Sequence, residues 1–107
     1  MAYRITTTNQ FEKDVKRCIK RGLPMGDLRT VISLLARDVF LPEVYRPHKL
    51  SGNRSGQWEC HIKPDWLLIW QQFDEELRLL MITTGTHSDI FGKKGDNWFR
   101  INLDRKR

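Results

Sequence analysis

Trp58-Glu59-Cys60-His61-Ile62-Lys63-Pro64-Asp65-Trp66-Leu67-Leu68-Ile69-Trp70 is the stretch on which the fold turns. Its first six residues alternate. Trp58, Cys60 and Ile62 face one way and Glu59, His61 and Lys63 the other, the period of a half-buried strand. Pro64 and Asp65 break the pattern. Trp66 to Trp70 is then apolar on both faces and reads as a central strand covered from two sides. Asp74-Glu75-Glu76 makes a tight connection into a third strand, Leu77 to Thr83, so the pattern predicts an antiparallel meander.

Upstream the apolar period lengthens. Tyr3 to Thr7 reads as a short first strand, and Thr8 and Asn9 are capping candidates, Asn9 with Glu12 resembling a capping box. Phe11, Val15, Cys18 and Ile19 repeat at helical spacing, with Lys13, Lys16, Arg17 and Lys20 on the other side. Gly22 to Gly26, with Pro24 inside, ends that helix. Asp27 is the expected cap of a second, whose stripe is Leu28, Val31, Ile32, Leu35 and Val39. Leu41 to Gly56, with two prolines and two glycines, reads as a loop. The fold class is therefore α+β, an N-terminal helical hairpin packed on a small antiparallel sheet of three to four strands.

The 107 residues suit one domain over 1–107, with 93–107 as a basic C-terminal extension in which Trp98, Phe99, Ile101 and Leu103 are candidates for docking on the body. Apolar residues at 39% and charged residues at 30% exclude a disordered chain. Nineteen Lys and Arg against thirteen Asp and Glu give +6, which favours a polyanionic partner through steering and counterion release. Cys18 and Cys60 lie on core-facing positions without a CxxC pair, so they read as buried free thiols in a reducing compartment. The N-terminus shows no signal-peptide pattern. The longest apolar run falls far short of the ~20 residues of a membrane span. The expected location is cytoplasmic, without a membrane partner.

All three histidines sit beside structural punctuation: His48 in the Pro47–Gly52 loop, His61 before Pro64, and His87 after Gly85-Thr86. Imidazole alone among side chains titrates near neutrality when unperturbed, so such a set in a basic protein points to proton transfer at a phosphodiester. Metal-free RNA scission needs a base for the 2′-hydroxyl, an acid for the departing 5′-oxygen, and positive charge at the phosphorane. His48, His61 and His87 offer the proton-transfer groups, and Asp65 is a further base or the partner that orients an imidazole. Arg46, Lys49, Arg54 and Lys63 are candidate phosphate ligands, and Trp66 and Phe91 candidate stacking platforms for splayed bases. By default each has a plainer role, the cations as a solvated face and the aromatics as core.

Three ordered blocks carry a resemblance. They are Leu41-Pro42-Glu43-Val44-Tyr45-Arg46 leading to His48-Lys49-Leu50-Ser51-Gly52, Glu59 through Ile69, and Gly85-Thr86-His87-Ser88-Asp89-Ile90-Phe91. With the preceding helices, the chain resembles the YafQ branch of the RelE/ParE toxin superfamily over roughly residues 3 to 92. The resemblance implies a type II toxin that enters the ribosomal A site and cuts messenger RNA by 2′-hydroxyl attack, leaving a 2′,3′-cyclic phosphate, with no metal and no cofactor. It implies catalytic positions at His48, His61, Asp65 and His87, with His87 as general acid and the base open among the other three. Trp66 and Phe91 match residues that support activity. A RelB- or DinJ-like antitoxin, the ribosome with its RNA, and messenger RNA are the implied partners.

Three positions depart from the family pattern. Thr83 stands where relatives often carry arginine before the Thr-Gly-Thr/Ser-His segment, leaving Lys49, Lys63 or Arg54 to supply the charge. Trp70 replaces a usual tyrosine, and the tail beyond residue 92 has no family counterpart. The competing readings are a non-nucleolytic, gyrase-poisoning toxin of the ParE kind, which generally lacks the histidine set, a basic RNA-binding module, and a zinc-binding module. For zinc, no two of the candidate ligands have a common motif spacing.

Overall fold

The two sequence patterns pair as strands of opposite direction in the computed structural model, which describes residues 2–92. Along the chain run β1 (Arg4–Thr7), α1 (Asn9–Lys20), α2 (Met25–Asp38), β2 (His48–Lys49), β3 (Gln57–Lys63), β4 (Trp66–Phe73) and β5 (Arg78–Gly85). Short 3₁₀ turns at Glu43–Tyr45, Gly52–Arg54 and Asp74–Glu76 join them, and one π-helical turn, Ser88–Gly92, follows β5. The sheet order is β1-β5-β4-β3-β2.

The sheet differs from the expected three to four antiparallel strands in two ways. It has five strands and is mixed, because β1 runs parallel to β5 after the helical hairpin carries the chain across the sheet. The fifth strand, β2, was hidden in the expected loop. Two residues are too few to show alternation, and the flanking Pro47 and Gly52 read as turn signals.

Of the two expected candidates, Thr8 caps α1, its hydroxyl accepting from the Phe11 amide at 2.9 Å, while Glu12 accepts from the Thr7 hydroxyl at 2.7 Å instead of forming a capping box with Asn9. Helix α2 begins at Met25 behind Pro24, which leaves Asp27 in its first turn, where a carboxylate still complements the helix dipole.

One face of the sheet packs on the hairpin. Phe11, Cys18, Leu28, Val31 and Leu35 of the helices meet Cys60, Ile62, Leu68, Trp70, Leu79 and Met81 of the strands in one buried cluster. Both cysteines are free and fully buried, and burial pushes the Cys60 thiol up to about 12. Leu67 and Ile69, also fully buried, lie outside that cluster. They pair directly with His61 and Glu59, and so share the opposite face with them. That second burial explains why β4 is apolar on both sides. No helix among the described residues is long and apolar enough to cross a membrane. The expected docking of Trp98, Phe99, Ile101 and Leu103 lies outside the described residues.

Candidate active site

Strand pairing places the first two histidines. His48 sits directly opposite Glu59 in the β2–β3 ladder, and His61 follows Glu59 by two residues on the same face. Arg46, in the left-handed region at φ 51°, turns its carbonyl onto the His48 Nδ1 at 3.0 Å. The Pro64 carbonyl takes the Nδ1 of His61 at 3.2 Å. A carbonyl can only accept, so both Nδ1 atoms carry protons and both Nε2 atoms are left to the site. Those Nε2 atoms face one carboxylate oxygen, Glu59 Oε1, at 3.2 Å from His48 and 3.9 Å from His61. The His48 Nε2 is thus within hydrogen-bond distance of the Glu59 carboxylate.

The third histidine follows β5, whose last residue, Gly85, pairs with Leu67, the strand partner of His61. Pro64 and Asp65 form the tight β3–β4 connection, with Lys63 opposite Trp66, and Asp65 there meets the end of β5. Its Oδ1 accepts from the His87 backbone amide at 3.1 Å and from His87 Nδ1 at 2.7 Å. The side-chain bond holds the Asp65 carboxyl below the usual carboxylate range. It also fixes the His87 ring with Nε2 outward.

Asp89 pins the turn that carries His87. Its carboxylate accepts from the Thr86 amide at 2.9 Å and takes the Arg21 guanidinium in two bonds of 2.6 and 3.1 Å. Arg21 holds the Asp89 carboxyl down at about 2. Gly85 must be glycine here: its φ is 155°, and a Cβ would lie 2.8 Å from Asp89 Oδ2. The turn then folds Phe91 back beside His87, ring centres 6.5 Å apart.

The result is a row of rings, His48, His61, His87 and Phe91. Centres are 6.4 Å apart for His48–His61 and 5.9 Å for His61–His87. Rings at that spacing leave room for one phosphate between neighbours, within the ~3 Å reach that proton transfer requires. His48 and His87 are about half exposed, so the hollow is open to a large substrate.

Some expected ligands do not reach it. Trp66 is only 2% exposed, packed in the core cluster with its Nε1 donating to the Thr84 hydroxyl at 3.0 Å, so it offers no face to a base. Lys49 pairs with Trp58 and so projects to the face opposite His48, its Nζ 5.6 Å from the Trp58 ring. The Lys63 ammonium pairs with Asp27 of α2 at 3.0 Å. Arg46 is exposed and lines a neighbouring hollow with His61. Phe91 remains beside His87, and the Arg54 guanidinium lies 5.7 Å from the Phe91 ring.

Two participants escaped the sequence reading. Glu59 was visible as the neighbour of His61 on the polar face, yet only the β2 pairing shows that it joins two imidazoles. Asp14, 1% exposed, accepts from Gln10, Arg17, the Thr83 hydroxyl and the Thr84 amide, tying α1 to the end of β5. Its signal was a charged residue on the stripe of Phe11 and Cys18. Among the described residues, no set of three or more His, Cys, Asp or Glu side chains is arranged to hold a metal ion.

Fold and site together define a small basic α+β domain of the RelE-like class, with a histidine–carboxylate hollow on the sheet face away from its helices. The chain belongs to the YafQ family of bacterial toxins of type II toxin–antitoxin systems, whose family model matches residues 3–92. The mRNA interferase toxin YafQ of Escherichia coli K12 is 39% identical over 89 residues, covering 82% of this chain and 95% of that protein. YafQ in the crystal structure of the E. coli DinJ–YafQ toxin–antitoxin complex superposes with a TM-score of 0.78 at 36% identity, covering 86% of this chain and 100% of that one. A metal-bound toxin from Helicobacter pylori matches equally well, TM-score 0.78 and 36% identity, covering 85% of this chain and 100% of that one.

Proposed function

We propose that this toxin is a ribosome-dependent endoribonuclease that cuts messenger RNA by general acid–base catalysis. The observation that carries the reading is the convergence of three imidazoles from separate stretches, with Glu59 and Asp65, on one open hollow. The His48–Glu59–His61 cluster takes the proton from the 2′-hydroxyl, whose oxygen attacks phosphorus. The bond to the 5′-oxygen breaks, and His87 Nε2 gives that oxygen a proton, leaving a 2′,3′-cyclic phosphate and a 5′-hydroxyl. Asp65 spends its hydrogen bonds on His87 and is therefore a positioning residue rather than the base. Each proton-transfer group contributes about 10²–10⁴-fold.

The E. coli relative is named an mRNA interferase, and its structure with DinJ supports a DinJ-like antitoxin as this chain's partner. Ribosomes as the target place the toxin in the cytoplasm. The test is cleavage of messenger RNA on programmed ribosomes. Wild-type protein should cut and His87→Ala should be slower by about 10²–10⁴-fold with an unchanged melting temperature. An intact transcript at high wild-type concentration removes the nuclease. The metal-bound H. pylori relative makes a chelator arm necessary. Acid–base scission predicts full activity in chelator, whereas activity that returns only with added metal contradicts it.

A further inference from the structure

Arg54 is anomalous among the arginines. Three of those in the described residues are half-buried, and Arg17 and Arg78 are both ion-paired, to Asp14 and Glu76. Arg54, in the Gly52–Arg54 turn, has no carboxylate within ion-pair distance among the described residues. Its Nη1 donates to Gln57 Oε1 at 3.0 Å, and its Cζ lies over Phe91. Burial pushes the guanidinium below the usual arginine range, an effect that the more distant Glu59 partly opposes. A partly desolvated guanidinium with one side-chain hydrogen bond has donors left over that an anion can complete.

The surroundings show where that anion would sit. Arg54 lines a hollow of 620 Å³ with Leu50, Ser51, Asn53, Gln57 and Phe91, which has no carboxylate, whereas a second hollow beside it carries Asp14 and Asp89 and repels an anion. Phe91 lies between Arg54 and His87, its ring 5.7 Å from the guanidinium and 6.5 Å from the imidazole, so Arg54 sits at the Phe91 end of the row. Two of the other candidate cations are directed elsewhere: Lys49 is on the opposite sheet face and Lys63 is held by Asp27. Thr83 offers no charge, and its hydroxyl donates to Asp14.

We propose that Arg54 is the cation that binds the scissile phosphodiester and stabilises its phosphorane, held ready by Gln57 and Phe91. This deepens the ribonuclease reading and rests on it. A planar guanidinium matches two non-bridging phosphate oxygens, and charge that develops during the reaction is where such a group acts most strongly.

Single-turnover cleavage at saturating toxin on programmed ribosomes separates the possibilities. Arg54→Gln should lose about 10²–10³-fold in saturated rate, with half-saturating concentration within about threefold of wild type. Arg54→Lys should recover at least about tenfold of that loss, since it restores charge without the fork. The melting temperature of Arg54→Gln should equal or exceed that of wild type, because a half-buried charge without an ion pair among the described residues is removed. A purely structural arginine would lower it. Wild-type saturated rate in Arg54→Gln, or Arg54→Lys no better than Arg54→Gln, overturns the proposal while the ribonuclease stands. A wild-type protein that leaves the transcript intact removes both together.

Discussion

Replacing Trp66 with leucine distinguishes a buried support from a base platform. The indole is 2% exposed and its Nε1 donates to Thr84 Oγ1, which in turn donates to the Leu67 carbonyl at 2.6 Å. Leucine removes the first bond, a loss of about 1 kcal/mol. It also removes about 60 Å³ of side chain, and an unrelaxed cavity of that size costs roughly 1.5 kcal/mol. Together about 2.5 kcal/mol should lower the melting temperature of a domain this small by about 15 °C. The assay pairs a thermal melt with single-turnover cleavage on ribosomes, run well below the variant's midpoint and expressed per folded molecule. Buried support predicts the full thermal loss with less than about a tenfold change in rate. A base platform would show the reverse. Stacking is worth about 1–3 kcal/mol per base, so substrate binding or rate would fall while the melt stayed within about 2 °C. That second outcome would refute the burial reasoning.

Other consequences follow from the carboxylates, the thiols and Thr83. Asp89 titrates at about 2 when folded against an ordinary 3.8, so its pairing with Arg21 stabilises fully above about pH 4 and is lost as pH falls toward 2. The melting-temperature gap between wild type and Asp89→Asn should therefore close between pH 5 and 2, and a constant gap would show that the clamp is not electrostatic. Cys60, at about 12 and fully buried, with Cys18 also fully buried, should leave both thiols unlabelled by an alkylating reagent at pH 8 until denaturant is added. Rapid labelling of the native protein would place a thiol at the surface. Thr83→Arg breaks a buried bond to Asp14 and should cost about 1–3 kcal/mol in denaturant unfolding with no gain in cleavage. A faster enzyme would mean that Arg54 leaves the phosphate charge incomplete.

Much of the fold was legible because two periods coexist in one stretch. Alternation from Trp58 to Lys63 and a doubly apolar β4 require a sheet covered on both sides, and the helical stripes supply one cover. The same double apolarity hid the role of Trp66. In a strand without a polar face, periodicity assigns no direction, and the irregular pairing between His61 and Lys63 shifts the register just before it. The convergence of His61, Asp65 and His87 was anticipated from their strand ends, whereas Glu59 needed β2, too short to announce itself. Charge alone gave Lys49, Lys63 and Arg54 equal standing. Their directions are set by a pleat, a neighbouring helix and a turn, none of which charge composition encodes.

The most direct measurement uses a programmed ribosome carrying a transcript with a single 2′-deoxynucleotide immediately 5′ of the bond that is cut in the all-ribose control. Scission by the 2′-oxygen under the histidine row predicts a 2′,3′-cyclic phosphate on the control and no cleavage at the substituted bond. Cutting of the deoxy transcript at an undiminished rate would contradict it, because the attacking oxygen would then come from elsewhere.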